Sequence, residues 1–302
     1  MTLTPATPPA GIEHLPDENQ AWEIGRGVHG DPFSVLGRFA TDGGAIVRVY
    51  RPGAHSATVI DGTDKEIAVL EAFGPDGFFS GYVPGLDGAS PYRMRYSHGG
   101  GTPWDEEDPY RFGPILGEQD VYLLAEGSHY RLYEKLGAHP ATMEGTPGVA
   151  FAVWAPGARR VSVVGHFNSW DGRRSVMRKR HECGVWELFV PHLGKGEVYK
   201  FEVIGGDGNI QPLKADPVGF LQEEAPSTAS VVHGLVDHEW QDAEFQAHSS
   251  EWQNRETPIS IYEVHLGSWR RGEGNEMLDY DALAEELVPY VKDMGFTHVE
   301  FL

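Results

Sequence analysis

Forty-five aspartates and glutamates, 14 histidines and one cysteine are the residues of this 302-residue chain able to do acid–base, metal or nucleophilic chemistry. Their spacing narrows the choice. No histidines stand in an HExxH pair and Cys183 is alone, so no metal site is expected. A single cysteine also excludes an internal disulfide and fits a reducing compartment. The densest acidic run, Asp105-Glu-Glu-Asp108, reads as an acidic surface turn rather than a cation site. Gly205-Gly-Asp-Gly-Asn209 lacks the strand-GxGxxG-helix setting of a dinucleotide loop, so it reads as a hairpin turn and no cofactor is implied. Aromatic chemistry remains. Trp170, in a turn after a strand pattern, is flanked by Asn168 and Asp171, which sets polar side chains beside a flat apolar ring. Trp154 and Trp186 lie inside strand patterns and are expected in the core.

The elements that position these residues are set by composition and pattern. Forty per cent hydrophobic and 11% aromatic residues can fill real cores. A net charge of −21 repels phosphate backbones and anionic lipid, so neither nucleic acid nor membrane is expected as a partner. The start has no basic or apolar leader pattern, and no uncharged apolar run reaches the length of a membrane span, so a cytoplasmic protein is expected. The Pro/Thr-rich opening predicts a flexible tail over residues 1–19.

An internal repeat organises the chain from about residue 20 to residue 236. Ala45-Ile-Val-Arg-Val-Tyr-Arg-Pro-Gly-Ala54 is matched by Val149-Ala-Phe-Ala-Val-Trp-Ala-Pro-Gly-Ala158, with Pro52 and Pro156 offset by 104. Phe78–Pro84 matches Val185–Pro191 and Tyr92–Tyr96 matches Tyr199–Val203 at 107, and Asp108-Pro matches Asp216-Pro at 108. An offset that drifts slowly in one direction marks two copies of one module with small loop insertions. Each copy reads as antiparallel β: Val161–Phe167, Trp186–Val190 and Tyr199–Ile204 are short strands separated by turn residues. The pattern predicts two β-sandwiches, over 20–128 and 129–236.

Residues 237–302 have a different grammar, read as a linker and then β-loop-α-β. Ile259–Leu266 is a β-rich run, and Leu283, Leu287, Val288, Val291 and Met294 form a helical stripe between an N-cap at Asp279 and a stop at Gly295. Pro289 should kink or split that helix. Thr297–Leu302 reads as a second strand, which predicts a parallel pair and a sequence cut short within a larger domain.

Five segments in order, His29-Gly-Asp-Pro-Phe-Ser-Val-Leu-Gly37, Phe151–Ala158, Gly165-His-Phe-Asn-Ser-Trp-Asp-Gly172, Tyr262-Glu-Val-His-Leu-Gly-Ser-Trp269 and Gly295-Phe-Thr-His-Val-Glu-Phe-Leu302, resemble the N-terminal part of bacterial glycogen branching enzymes. The resemblance implies a mainly β chain: two tandem immunoglobulin-like β-sandwiches, the second a carbohydrate-binding module of family 48, then the first βαβ of a (β/α)8 barrel of glycoside hydrolase family 13. It implies cleavage of α-1,4-glucan and transfer of the cut chain to form α-1,6 branches. That retaining chemistry needs two carboxylates about 5–5.5 Å apart, set after later barrel strands. No catalytic residue is therefore expected before Leu302.

The expected partner is an α-glucan, and the full-length protein is expected to be a monomer. Sugar rings have apolar C–H faces and hydroxyl rims, which makes Trp170 the first candidate glucan contact. Lys200 is the second, by resemblance to modules that hold glycogen with an aromatic and a lysine, and Trp104 in the first copy is the third. The loop where such modules often offer another aromatic reads Asp207-Gly-Asn-Ile210 here. His265 follows a barrel-type strand and is expected to be structural or to shape the site from behind. Two alternatives stay open at this level: a non-catalytic glucan-binding protein of two modules, and a trehalose-releasing or debranching relative.

Overall fold

A computed structural model describes residues 4–235 and 239–302. The protein is mainly β and divides into two compact units, Met1–Val236 and Asp237–Leu302. The expected boundary between residues 236 and 237 lies outside the described residues.

The first unit opens with helix α1 (Glu18–Arg26). Asp17 caps it by accepting the Asn19 and Gln20 amides, and Gly27 ends it in the left-handed region. Strands β1 (Gly37–Thr41), β2 (Gly44–Tyr50), β3 (Ser56–Asp61), β4 (Glu66–Ala72), β5 (Phe78–Pro84), β6 (Tyr92–Ser97) and β7 (Trp104–Glu107) then form one seven-stranded sheet, β1-β2-β5-β4-β3-β6-β7. Alternation puts Val47, Val59, Leu70, Phe79, Tyr92 and Met94 into a single core. Strands far apart in the sheet share that core, so the sheet curls over on itself. The fold-over is made by β4, which pairs with β3 up to Leu70 and with β5 at Glu71 and Ala72. Where the pattern predicts two separate layers, this crossing strand joins them into one sheet.

In the second half, α2 (Glu118–Glu126) precedes β8 (Gly137–Met143), β9 (Thr146–Trp154), β10 (Arg160–Gly165), β11 (Arg178–Arg180), β12 (Val185–Pro191), β13 (Val198–Ile204), β14 (Leu221–Gln222) and β15 (Ser230–Val231). Two four-stranded sheets, β11-β12-β9-β8 and β10-β13-β15-β14, share a core that contains Phe151, Val163, Trp186, Leu188, Tyr199 and Phe201. Helix α2 packs Val121 and Leu124 on Ala152, Cys183 and Val185. By packing it goes with the second half, although the pattern draws the boundary after residue 128. The Gly205 run is the hairpin turn expected, closed by Gly205 N–H to Asn209 O at 3.0 Å.

The link between the halves is held at two buried charged residues, Arg111 and Glu187. Arg111 donates to Glu107 (3.0 Å), Glu144 (2.8 Å) and Thr146 (3.0 Å), and buried Glu187 accepts the Leu116 amide at 2.8 Å. The opening segment is tied down as well. Ala6 bridges to Tyr82, and the His14 carbonyl accepts Arg48 Nε at 3.0 Å and Ser80 Oγ at 2.5 Å. Composition predicts a free tail here because these bonds run from its backbone to residues distant in sequence.

The second unit comprises α3 (Ala243–Trp252), β16 (Ile261–Val264), the short α4 (Leu266–Trp269), α5 (Tyr280–Asp293) and β17 (His298–Phe301). Strands β16 and β17 are parallel, as the pattern predicts. Asp279 caps α5 through the Ala282 amide. Leu283, Leu287 and Val291 are buried, and the last two pack with Val264 of β16, whereas Val288 and Met294 are exposed and lie off the stripe. Pro289 neither splits nor ends α5. The carbonyl it leaves without an amide partner, that of Glu285, lies on the exposed side, where solvent can satisfy it.

Candidate functional site

The turn that carries Trp170 grows from the end of β10. Gly165 closes that strand opposite Tyr199, and Val164, one residue earlier, lies opposite Lys200 on β13. The chain folds back through His166–Asn168, and Ser169 and Trp170 both take left-handed backbone, φ 60° and 59°. Each such non-glycine residue costs on the order of 1 kcal/mol, so something must hold it. The Trp170 amide donates to Gly165 O at 2.9 Å and the Ser169 amide to His166 O at 3.1 Å. Asn168 braces the loop from inside: its Oδ1 accepts the Gly165 amide, and its Nδ2 donates to Val163 O and Ser175 Oγ.

Trp170 itself is half-buried, and it meets His166 edge-on with ring centroids 5.4 Å apart. Its Nε1–H donates to His166 Nδ1 at 3.3 Å. The polar neighbours singled out from sequence are engaged elsewhere. Asn168 is used by the loop, and Asp171 holds Arg173 through Nε (2.9 Å) and Nη2 (2.7 Å). Burial pushes the Asp171 carboxyl up, but the bonds from Arg173 outweigh it and keep it below the ordinary carboxylate value.

Lys200 alternates with the core residues Tyr199 and Phe201, so it stands on the outer face of β13, where its Nζ donates to Thr228 Oγ1 at 2.7 Å. The structure thus brings Trp170 and Lys200 to one end of the β10–β13 pair. Trp104 is elsewhere, at the start of β7. It packs on the core of the first half, stacks on His98 at 4.3 Å and donates to Glu106 at 3.0 Å.

Two expectations need correction. Trp186 is fully buried, but Trp154 is 59% exposed, because it is the last residue of β9 and its Nε1–H reaches the Cys183 carbonyl at the sheet's end. Asp105–Asp108 is no surface turn. It spans β7 and the residue after it, and each carboxylate has a partner distant in sequence or just beyond: Arg95 for Asp105, Arg51 for Glu106, Arg111 for Glu107, and the Tyr92 hydroxyl for Asp108 at 2.5 Å. Burial raises the Asp108 carboxyl to about 6, against the bonds from Tyr92 and the Tyr110 amide that favour the charge. Tyr199 and Asp216 repeat this pair at 2.7 Å. His265 hydrogen-bonds Ser268 at 2.9 Å. Among the described residues no helix is long and apolar enough to cross a membrane.

Sequence reading missed a second aromatic place, a pocket lined by Trp22, Arg26, Asp76 and Arg173. A signal existed for its helix: Gly27 and Gly127, and Leu36-Gly37 and Leu136-Gly137, are each offset by 100, which extends the repeat back over α1 and α2.

Residues 17–110 match the model of the alpha-1,4-glucan branching enzyme GlgB N-terminal domain, and residues 135–219 that of carbohydrate-binding module 48, the isoamylase N-terminal domain. The chain is 56% identical over 289 residues to the 1,4-alpha-glucan branching enzyme GlgB of Cereibacter sphaeroides, covering 95% of this chain and 39% of that protein. It is 52% identical over 282 residues to GlgB of Paramagnetospirillum magneticum, covering 92% and 37%. The chain belongs to the GlgB family, by its N-terminal part. It spans about two fifths of the length of the GlgB relatives it matches. A solved pullulanase type I from Bacillus subtilis, complexed with maltose, is 18% identical with a TM-score of 0.39 over 88% of this chain and 37% of that one.

The two models divide the site residues. The GlgB N-terminal match takes in Trp22, Trp104 and the Tyr92–Asp108 pair, and the module-48 match takes in Trp170, Lys200 and the Tyr199–Asp216 pair. Residues 239–302 lie outside both.

Proposed function

We propose that this chain is the glucan-holding front of a branching enzyme that cleaves α-1,4-glucan and transfers the cut chain to a C6 hydroxyl in the cytoplasm. The names of its GlgB relatives support the reaction, and the share of their length that it spans supports placing the catalytic carboxylates outside these 302 residues. In this reading the halves of the first unit are tandem immunoglobulin-like sandwiches. Residues 239–302 are the first βαβ of the catalytic barrel, which the parallel β16–β17 pair and the packing of α5 on β16 support.

Trp170 carries the binding role. Its indole stands on a turn of two left-handed residues braced by Gly165, His166 and Asn168, with one edge held by His166 and the ring half-exposed to a ligand. Indole stacks on the apolar face of a glucose ring, Lys200 at the same end of the strand pair donates to a hydroxyl, and Trp104 is a weaker platform with His98 on one face. Co-sedimentation with glycogen tests this. The wild-type chain pellets, Trp170→Ala pellets markedly less with its Tm unchanged, and Trp104→Ala is affected less than Trp170→Ala. A wild-type chain that stays in the supernatant overturns the binding role. For the reaction, the natural protein containing this chain makes new α-1,6 links in amylose; hydrolysis without new links points to a debranching relative.

A further inference from the structure

We infer that the first half carries a second glucan-binding pocket, built on Trp22 and closed by Arg173 from the second half. The inference rests on the glucan-binding reading above and extends it to a surface of the N-terminal module. Helix α1 buries Ala21 and Ile24, which turns Trp22 and Arg26, one turn apart, to the outside. Trp22 is 41% exposed, and the Arg26 guanidinium lies 5.9 Å from its ring centroid.

The pocket floor is fixed. A Cβ on Gly25 would come within 2.6 Å of Pro75, so the helix rests directly on that proline, and the Tyr50 hydroxyl donates to the Gly25 carbonyl at 3.1 Å. Pro52 and Pro75 give apolar walls, and Asp76 and Arg173 stand at the rim. The cavity holds about 320 Å³, at the lower end of the range for small-molecule sites.

Its chemistry selects a neutral, hydroxyl-rich ring. Among the described residues the Arg26 and Asp76 side chains make no hydrogen bond or ion pair, and Arg26 only overlies the Trp22 ring, so a donor fork and an acceptor pair remain available. Arg173 spends Nε and Nη2 on Asp171 and keeps Nη1 for a ligand. Arg26 and Arg173 balance Asp76 and Asp171 in charge, and the chain as a whole carries −21, so phosphate gains nothing here. Indole, two prolines and balanced polar forks suit a pyranose. Continuity makes that sugar a glucan. Asp171 comes directly after Trp170, so the Asp171–Arg173 pair joins the Trp170 turn to this pocket. The second half has no counterpart: at the offset of 100, Trp22 and Arg26 correspond to Tyr122 and Glu126.

The test is a maltoheptaose titration of the 302-residue chain, followed by the ¹⁵N indole signals of Trp22 and Trp170 in the same spectra and assigned with Trp22→Phe and Trp170→Phe. Both signals are expected to shift. Trp22→Ala is expected to weaken maltoheptaose binding about fivefold at unchanged Tm, the effect of one lost stacking contact. A shifting Trp170 signal with a static Trp22 signal, or Trp22→Ala affinity within twofold of wild type, overturns the Trp22 pocket and leaves the proposed function standing. No shift at either indole overturns both.

Discussion

The two halves of the first unit are copies of one framework, and they differ at the connection after strand β3 or β10. In the first copy β3 turns directly into β4, with Asp61 accepting the Thr63 and Lys65 amides. In the second, the loop after β10 runs outward as the Trp170 turn and returns only at 175–177, where Val163 and Met177 amides bond Ser175 and Val161 carbonyls. Residues 178–180 then join β12 as β11. The strand that changes layers is therefore present in both, long and continuous in the first and cut short in the second. What the copies share is buried: Tyr92–Asp108 against Tyr199–Asp216, and Gly37 against Gly137 at φ 102° and 101°. The duplicated core positions a loop, and the loop that differs carries the half-buried Trp170.

The largest expected effects test the shared core. Trp186→Ala and Phe79→Ala remove equivalent residues of the two copies, both buried, and each should cost about 3–5 kcal/mol by urea unfolding. A cost below about 1 kcal/mol for one of them breaks the equivalence of the cores.

Next comes the shared Tyr–Asp pair. Burial raises Asp108 to about 6, so the folded state holds that proton more tightly than the unfolded chain does. Stability from this group is full below the ordinary carboxylate value and is lost as pH rises through about 6. An Asn keeps an oxygen for the Tyr92 hydroxyl without the charge. Between pH 4 and 7, Asp108→Asn should therefore gain about 2 kcal/mol relative to wild type. Asp216, also raised by burial, should give the same sign with Asp216→Asn. Parallel pH profiles for wild type and both variants would contradict the pair's role.

A smaller contrast concerns surface tryptophans. Trp104→Ala loses packing on the first core and should cost about 1–2 kcal/mol, whereas Trp154→Ala at the end of β9 should cost less than about 1 kcal/mol. Equal costs would remove the distinction between the packed and the open indole.

The repeat was legible because its strands carry aromatic and β-branched residues at fixed spacing, and the parallel βαβ was legible from Asp279, Gly295 and the Leu283–Leu287–Val291 stripe. The crossing strand was not, because pairing with two neighbours in turn leaves no mark on alternation. Trp154 misled for a related reason: its position is equivalent to Tyr50, which is buried beneath α1, but burial at the end of a strand depends on what covers it. The acidic run at β7 misled because Arg51, Arg95 and Tyr92, three of its partners, come from strands and loops outside the run. At the site, Trp170 and Lys200 were read from sequence, and the structure sets them at one end of a strand pair. Arg173 escaped notice, since only folding brings it to Trp22.

Calorimetric titration of maltoheptaose into wild type, Trp170→Ala and Trp154→Ala tests the central claim most directly. Trp154 is an open indole in the same half and serves as the control. Trp170→Ala should lose at least about tenfold in affinity, the loss of a principal stacking contact, while Trp154→Ala binds as wild type does. Equal affinity of Trp170→Ala and wild type would contradict the account.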